Sequence, residues 1–241
     1  MLIKKTFQIL MLSLFIVLSF VYGLAVGTYK IFPYNEVQNV KRALIGGDGK
    51  GHRSFKEPSY THKTSFFKLI AQNDYDIVFI GDSITDGSDW NDVFPDKIIA
   101  NRGISGDTTD GVLKRMDTIL NTKAEKAFVM IGTNDVSRGF DVETIFKNYV
   151  EILDLLLSND IEPIVQSTLF TYNDEMRDNR TIKALNKKLK TFCENNDITY
   201  VDLNAILSKN ETLIKKYSDD GLHLNGSGYV AWSKIIEEHV Y

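Results

Sequence analysis

The sequence is poor in the residues that build metal and disulfide sites. Its one cysteine among 241 residues, Cys193, excludes an intramolecular disulfide and a zinc site built on cysteines. There are four histidines and no His-Glu-x-x-His motif, so we expect no catalytic metal. The net charge is −4 and no basic stripe interleaved with aromatic residues is present, so we expect no nucleic-acid partner.

Long uncharged runs are also missing, with one exception at the N-terminus. Phe7 to Gly27 holds 21 residues without a charge and follows Lys4 and Lys5. About 20 such residues cross a bilayer as a helix, whereas the apolar part of a cleaved signal peptide has about 7–15. We therefore predict that residues 1–29 are a membrane anchor and that the rest of the chain lies outside the cytoplasm. The small-x-small site Gly23-Leu24-Ala25 keeps open the alternative of a cleaved signal segment and a secreted protein.

Residues 30–73 have the composition of a linker or lead-in. The stretch from Gly46 to Gly51 imitates a phosphate-binding loop, but Gly51 stands where serine or threonine must follow the lysine. We interpret the stretch as a loop. Ser65 to Ala71 is predicted as a short helix at the end of this segment.

Residues 74–241 alternate between strand-like and helix-like patterns. Predicted strands are 77–80, 98–101, 127–132, 163–167 and 199–202, and predicted helices are 90–96, 108–120, 141–158, 179–195 and 225–238. Strands separated by helices of this length form a parallel sheet that is covered on both faces. We therefore expect an α/β domain with a five-stranded, mainly parallel sheet, preceded by the N-terminal hydrophobic helix.

Polar stretches that suit catalysis stand at the ends of these elements. They are Gly81-Asp82-Ser83, Gly103-Ile104-Ser105-Gly106-Asp107, Gly132-Thr133-Asn134-Asp135 and, before the last helix, Asp220-Gly221-Leu222-His223. The first three each follow a strand of the same predicted sheet. Since parallel strands end at one edge of a sheet, residues distant in sequence can converge there.

Ser83 is the candidate nucleophile. A serine hydroxyl is weakly nucleophilic at neutral pH and needs a base. Asp220 and His223 are three residues apart, a spacing that lets the carboxylate hold imidazole Nδ1–H and leaves Nε2 free as that base. The candidate oxyanion donors are the N–H groups of Ser83 and Gly106 and the side-chain amide of Asn134.

Each of these stretches also has a purely structural interpretation. Gly-Asp-Ser is common in turns, and Gly106 is consistent with a turn glycine. Asn134 is able to cap a helix, and His223 is consistent with a histidine that is packed in the protein without a catalytic role. Asp82 is assigned a structural role, bracing its loop by hydrogen bonds. The combination of all four stretches in this order favours the catalytic interpretation.

In these four blocks the chain resembles the SGNH hydrolases, also called the GDSL esterase and lipase family, over about residues 74–241. The resemblance implies a flavodoxin-like three-layer α/β/α sandwich, Ser83, Asp220 and His223 as catalytic residues, and Ser83, Gly106 and Asn134 as the oxyanion hole. All four blocks are present without substitution, so an active enzyme is expected. The Gly-x-Ser-x-Gly elbow of α/β-hydrolases is absent, because Thr85 stands at the position of its second glycine.

The sequence therefore predicts a serine hydrolase that cleaves carboxylic esters without a cofactor. The expected substrate is an acyl or acetyl ester of a glycan or a lipid, and the expected partner besides that substrate is a membrane, through the N-terminal segment. Two alternatives remain open: an O-acyltransferase that uses the same acyl-enzyme, and a tethered binding module without turnover.

Overall fold

The computed structural model describes residues 2–29, 32–33, 58–70 and 75–241. The chain divides into two units, Met1–Gly49 and Lys50–Tyr241. The stretch from Gly46 to Gly51, predicted as a loop, lies outside the described residues.

The first unit contains helix α1, Leu2–Tyr29. Its part Leu10–Tyr29 has a mean hydropathy of 2.3 and is long and apolar enough to cross a membrane. The predicted N-terminal hydrophobic helix is thus confirmed as a helix. A signal sequence near the N-terminus passes the same test of length and composition.

The second unit is built on a five-stranded sheet in which every neighbouring pair is parallel. The strand order is β2-β1-β3-β4-β5. The strands are β1 Ile77–Gly81, β2 Ile99–Gly103, β3 Lys126–Met130, β4 Glu162–Gln166 and β5 Thr199–Val201. All five lie within two residues of the predicted strands, so the predicted fold class is confirmed.

Helices lie before, between and after these strands. In chain order they are α2 Pro58–Ile70, α3 Ser83–Asp86, α4 Trp90–Val93, α5 Thr109–Lys114, α6 Met116–Leu120, α7 Thr133–Ser137, α8 Val142–Leu157, α9 Asn179–Asn195, α10 Asn204–Leu207 and α11 Gly226–Val240. A hairpin of β6 Ser208–Lys209 and β7 Thr212–Leu213, and the 3-10 helix Lys215–Tyr217, lie between α10 and α11. The short helices α3, α7 and α10 and the hairpin carry too few residues for a periodic pattern, and the sequence did not predict them.

The sheet has a separate hydrophobic core on each face. Val78 and Ile80 of β1 pack with residues of α5, α6, α8 and α9 on one face. Ile77 and Phe79 pack with residues of α3, α4, α10 and α11 on the other. Successive residues of a strand point to opposite faces, so a strand that is apolar throughout supplies both cores. This arrangement is the predicted three-layer sandwich.

Three helices differ from the prediction, and one of them, α4, differs only in ending at Val93, three residues before its predicted end. The helix predicted over 108–120 is divided into α5 and α6 at Arg115, which has φ −121° and ψ 19°. Arg115 turns its guanidinium into the interior to meet Asp107, and this buried ion pair overrides the helical periodicity. Helix α2 begins at Pro58, seven residues before the predicted start, and buries Tyr60 and Phe67.

The strand order places the site. The connection after β1 leads to β2 on one side, and the chain then returns to β3 on the other side of β1. Open parallel sheets bind ligands outside the carboxyl ends of their strands at such a switch point. The loops after β1, β2 and β3 therefore meet at one edge.

Candidate active site

Ser83 lies at the first turn after β1. Asp82 caps helix α3, accepting a hydrogen bond at Oδ1 from the Ile84 N–H at 3.0 Å. Gly81 allows this sharp turn, because a Cβ there would collide with Thr85 Oγ1 and lie 2.5 Å from the Met130 carbonyl oxygen. The turn leaves Ser83 half-buried at the edge of the sheet.

His223 and Asp220 reach Ser83 from the loop before α11. Ser83 Oγ lies 2.8 Å from His223 Nε2, and His223 Nδ1 lies 2.6 Å from Asp220 Oδ2. With the Nδ1–H tautomer, the imidazole donates to the carboxylate and Nε2 accepts the Ser83 hydroxyl. The three residues named as catalytic from the sequence are thus brought together in hydrogen-bonding order.

The carboxylate of Asp220 also organises its own loop. Its Oδ1 accepts hydrogen bonds from the backbone N–H groups of Leu222 at 2.9 Å and His223 at 2.8 Å. Partial burial would raise the pKa of Asp220, but the hydrogen bonds from the His223 side chain and from these two backbone groups outweigh it and lower the pKa. Asp220 is therefore a carboxylate at neutral pH.

The segment after β4 supports the loop of Asp220. The Tyr172 N–H donates to the Gly221 carbonyl at 2.8 Å, and the Gly221 N–H donates to Ser218 Oγ at 2.9 Å. Gly221 has φ +85°, and a Cβ there would collide with the Tyr172 carbonyl. A glycine between Asp220 and Leu222 therefore allows the two segments to approach this closely.

Asn134, in the first turn of α7, points its amide towards the loops after β1 and β2. Its Nδ2 donates to the Asp107 carbonyl at 3.0 Å and to Asp82 Oδ2 at 3.2 Å. Gly106, which precedes Asp107, has φ +76° and forms the turn of that loop. The predicted oxyanion donors thus stand on adjacent loops that Asn134 and Asp82 connect.

Asp82 makes the bracing hydrogen bonds that the sequence analysis expected of it. Besides capping α3, its carboxylate accepts from Thr133 Oγ1 at 2.9 Å and from Asn134. Burial raises the pKa of Asp82, and its hydrogen bonds with Ile84 and Thr133 oppose that rise. The carboxylate holds the loop of Ser83 against the loop of Asn134.

Two arginines of the site carried no recognisable sequence signal. Arg115 Nε donates to Asp107 Oδ2 at 2.8 Å, and both side chains are fully buried. Arg177 Nη2 donates to Asn134 Oδ1 at 3.1 Å from the segment between β4 and α9. Neither belongs to a motif, and a charged residue at these positions is indistinguishable in the sequence from a surface residue.

No group of three or more histidine, cysteine, aspartate or glutamate side chains is arranged to hold a metal ion within the described part of the chain. The buried carboxylates near Asn134 bind hydroxyls, N–H groups and Arg115 instead. The arrangement offers a hydroxyl, a base that contacts it and adjacent donors, which are the groups required for acyl transfer.

Comparison with known proteins identifies the family. The model of the GDSL-like lipase/acylhydrolase family matches residues 79–231. N-acylneuraminate cytidylyltransferases of Streptococcus agalactiae are similar in sequence. The serotype V protein is 30% identical over 168 residues, which cover 70% of this chain and 39% of the relative. The serotype III protein is 34% identical over 123 residues, covering 51% of this chain and 30% of the relative. The chain therefore spans well under half the length of these curated relatives.

Solved structures share the fold. A GDSL-like lipase from Bacteroides thetaiotaomicron superposes with a TM-score of 0.66 at 24% identity, covering 75% of this chain and 96% of that one. A mutant of an acetyl-xylooligosaccharide esterase from Geobacillus has a TM-score of 0.56 at 19% identity, with coverages of 70% and 95%. The family match and the shared fold lead to one conclusion: the chain belongs to the GDSL-like lipase/acylhydrolase family, also called SGNH hydrolases.

Proposed function

We propose that this chain is a hydrolase of carboxylic esters and that Ser83, His223 and Asp220 are its catalytic triad. The observation that carries the proposal is the continuous chain from Ser83 Oγ to His223 Nε2 at 2.8 Å and from Nδ1 to Asp220 at 2.6 Å. A serine, a base and an oriented carboxylate at these distances match the requirements of nucleophilic acyl transfer.

The reaction follows from these contacts. Ser83 Oγ forms a bond to the acyl carbon while its proton passes to His223 Nε2. The bond between the acyl carbon and the alcohol oxygen then breaks, and Nε2 gives its proton to the departing oxygen. Water then forms a bond to the acyl carbon as His223 takes one of its protons, the bond from that carbon to Ser83 Oγ breaks and releases the acid, and the proton returns to Ser83 Oγ.

The oxyanion that forms in each step is proposed to bind the N–H groups of Ser83 and Gly106 and the Asn134 amide. Both amide hydrogens of Asn134 already have acceptors, Asp107 O at 3.0 Å and Asp82 Oδ2 at 3.2 Å. The hydrogen on the longer bond is the one that we assign to the oxyanion. This hydrogen must then be shared between Asp82 and the oxyanion, and an amide that is already oriented limits the reorganisation that the sharing requires.

For the substrate we propose an acyl ester of a glycan, in preference to a lipid ester. A cleft of about 880 Å³ has polar lining residues that include Tyr172, Asp174 and Thr212. Tyr172 bonds to the loop of the triad, and another lining residue, Arg177, bonds to Asn134, so the cleft adjoins both halves of the site. Hydroxyl-rich groups suit such a lining better than a long acyl chain does. The names of the relatives, which concern N-acylneuraminate and acetyl-xylooligosaccharide, point to sugars as well.

Replacing the nucleophile tests the triad. With a short-chain aryl ester, Ser83→Ala is expected to lower kcat by about 10⁴-fold or more, while the exposed Ser227→Ala keeps wild-type turnover. A covalent serine probe should label the wild type and Ser227→Ala but not Ser83→Ala. Turnover by Ser83→Ala comparable to the wild type would overturn the proposal.

A second assay addresses the substrate and the acceptor. Acetylated oligosaccharides and lysophospholipids are offered separately, and both free acid and transferred acyl product are measured. Faster release of acetate from the sugars is the expected result. Preference for the lysophospholipid contradicts the glycan proposal, and an excess of transferred acyl product identifies an acyltransferase.

We further propose that α1 anchors the enzyme in the membrane with its catalytic domain outside the cytoplasm. The uncharged stretch of Leu10–Tyr29 supports this proposal. Mass spectrometry of the protein recovered from membranes should give the full-length chain. A soluble product that lacks the N-terminal residues would indicate a cleaved signal segment instead.

A further inference from the structure

The amide of Asn134 is held at both of its ends. The Nδ2 end donates to two acceptors, the Asp107 carbonyl and the Asp82 carboxylate. The Oδ1 end accepts a hydrogen bond from Arg177 Nη2 at 3.1 Å. An amide can rotate by half a turn and exchange its oxygen and nitrogen, so its partners decide which end faces the substrate.

Arg177 allows only one of these orientations. A guanidinium has donors and no acceptor, so it pairs with Oδ1 and repels an NH2 group in the same place. The contact therefore fixes Nδ2 on the side of Asp82 and Asp107.

The guanidinium is itself held in place. Arg177 Nη1 donates to Asp174 Oδ2 at 2.7 Å, and only 15% of the Arg177 side chain is exposed. The same segment bonds to the loop of the triad through Tyr172 and Gly221. Arg177 thus lies on a supported segment that contacts the base side and the oxyanion side of the site.

We propose that Arg177 is a positioning residue for catalysis, which orients and polarises the Asn134 amide so that Nδ2 donates to the oxyanion. The inference rests on the proposed role of Asn134 in the oxyanion hole. A cation on the amide oxygen draws electrons from the nitrogen, which strengthens the Nδ2–H donor, because hydrogen bonds in series reinforce one another. The benefit grows as negative charge develops on the substrate, so it affects turnover more than binding.

A double-mutant cycle between Arg177 and Asn134 tests this inference. With the short-chain aryl ester, which lacks the sugar proposed for the cleft that Arg177 lines, Arg177→Met should lower kcat about ten- to a hundredfold, the range of a hydrogen bond to a charged group, with KM changed by less than about threefold. Asn134→Ala should lower kcat by about 10²–10³-fold. In the Asn134→Ala background, Arg177→Met should have almost no further effect, because its target amide is already gone.

Two further variants separate positioning from general support. Lys183→Met removes an exposed cation that pairs with Glu211 and should leave kcat unchanged. Arg177→Lys keeps one donor and should recover part of the lost kcat. If Arg177→Met fails to fold, Asp174→Asn loosens the guanidinium and should produce a smaller loss of kcat with the same coupling to Asn134.

The outcomes distinguish this inference from the proposed esterase mechanism. An undiminished effect of Arg177→Met in the Asn134→Ala background, or an effect on KM alone, overturns the positioning role while the Ser83 result stands. If Asn134→Ala keeps full activity, the oxyanion assignment fails and the positioning role fails with it. Equal activity of Ser83→Ala and wild type would instead refute the triad.

Discussion

The two sides of the site differ sharply in their exposure to solvent. On the side of the proposed oxyanion hole, called the oxyanion side, Asp82, Asp107 and Asn134 are 1%, 0% and 7% exposed. On the base side, the side chains of Asp220 and His223 are 56% and 44% exposed. One side is part of the protein interior, and the other is a surface loop held by short-range hydrogen bonds and by contacts with Tyr172 and Ser83.

This difference in exposure predicts that substitutions on the two sides of the site affect different properties, catalytic activity on the exposed side and stability on the buried side. Exposed ion pairs contribute about 0–1 kcal/mol to stability, whereas loss of one partner from a buried pair costs about 3–5 kcal/mol. Substitutions on the base side should therefore impair catalysis in a folded protein. Substitution of the buried ion pair of Arg115 and Asp107 should affect folding first.

Among the substitutions that test this difference between the two sides, the largest effect is expected at Asp220. Asp220→Asn replaces the acceptor of Nδ1–H with an amide that is able to donate, so His223 is held in the tautomer whose Nε2 cannot accept the Ser83 proton. We expect kcat to fall by about 10³–10⁴-fold with the melting temperature nearly unchanged. The neighbouring exposed residue provides the control, since Asp219→Asn should retain full activity. A large loss of melting temperature in Asp220→Asn would contradict the separation.

The next effect is expected at the buried pair of Arg115 and Asp107. Arg115→Met leaves the Asp107 carboxylate without its cation in the interior, and the free energy of unfolding should fall by about 3–5 kcal/mol. Denaturant titration of the variant measures this loss. Lys188→Met removes a cation from an exposed pair with Glu143, at 2.9 Å, and should cost less than about 1 kcal/mol. Equal losses in the two variants would show that burial does not distinguish these pairs.

The smallest effect concerns the pH dependence of stability at Asp135, next to Asn134. Burial raises the pKa of Asp135 to about 7. Hydrogen bonds from the Thr109 N–H and hydroxyl lower the pKa, but burial has the larger effect. The unfolded state therefore ionises at lower pH than the folded state. The stabilisation that this carboxyl gives the folded state is present in full below its ordinary pKa and is lost as pH rises through about 7. The free energy of unfolding falls by at most about 4 kcal/mol over this range.

Asp135→Asn removes this titration. Its free energy of unfolding should fall less than that of the wild type between pH 5 and pH 8, as measured by denaturant titration at each pH. Asp154→Asn, at an exposed position of α8, should follow the wild-type curve. Parallel curves for wild type and Asp135→Asn would show that Asp135 does not titrate in this range.

Much of the fold was predictable because the sheet and the long helices are specified locally. The stripe of Ile145, Tyr149 and Leu153 predicted α8, and all three side chains are buried. The bounds of α9 agree with the prediction over Asn179–Asn195. The break at Arg115 was not predictable, because it depends on a buried contact with Asp107, which lies eight residues away. Aspartate is usually exposed, so nothing in the sequence indicates that Asp107 is buried.

The sequence by itself determined the order of strands and helices, the family, and which polar stretches stand at strand ends, since hydrophobic periodicity and glycine turns are local properties. Only the tertiary structure decided that Ser83 and His223, 140 residues apart, lie 2.8 Å from each other. It also decided that Arg177 contacts Asn134 and that Arg115 is buried against Asp107. Such contacts depend on the order in which the strands pair and on the burial that follows. The type of a residue does not indicate which distant loop its side chain will contact.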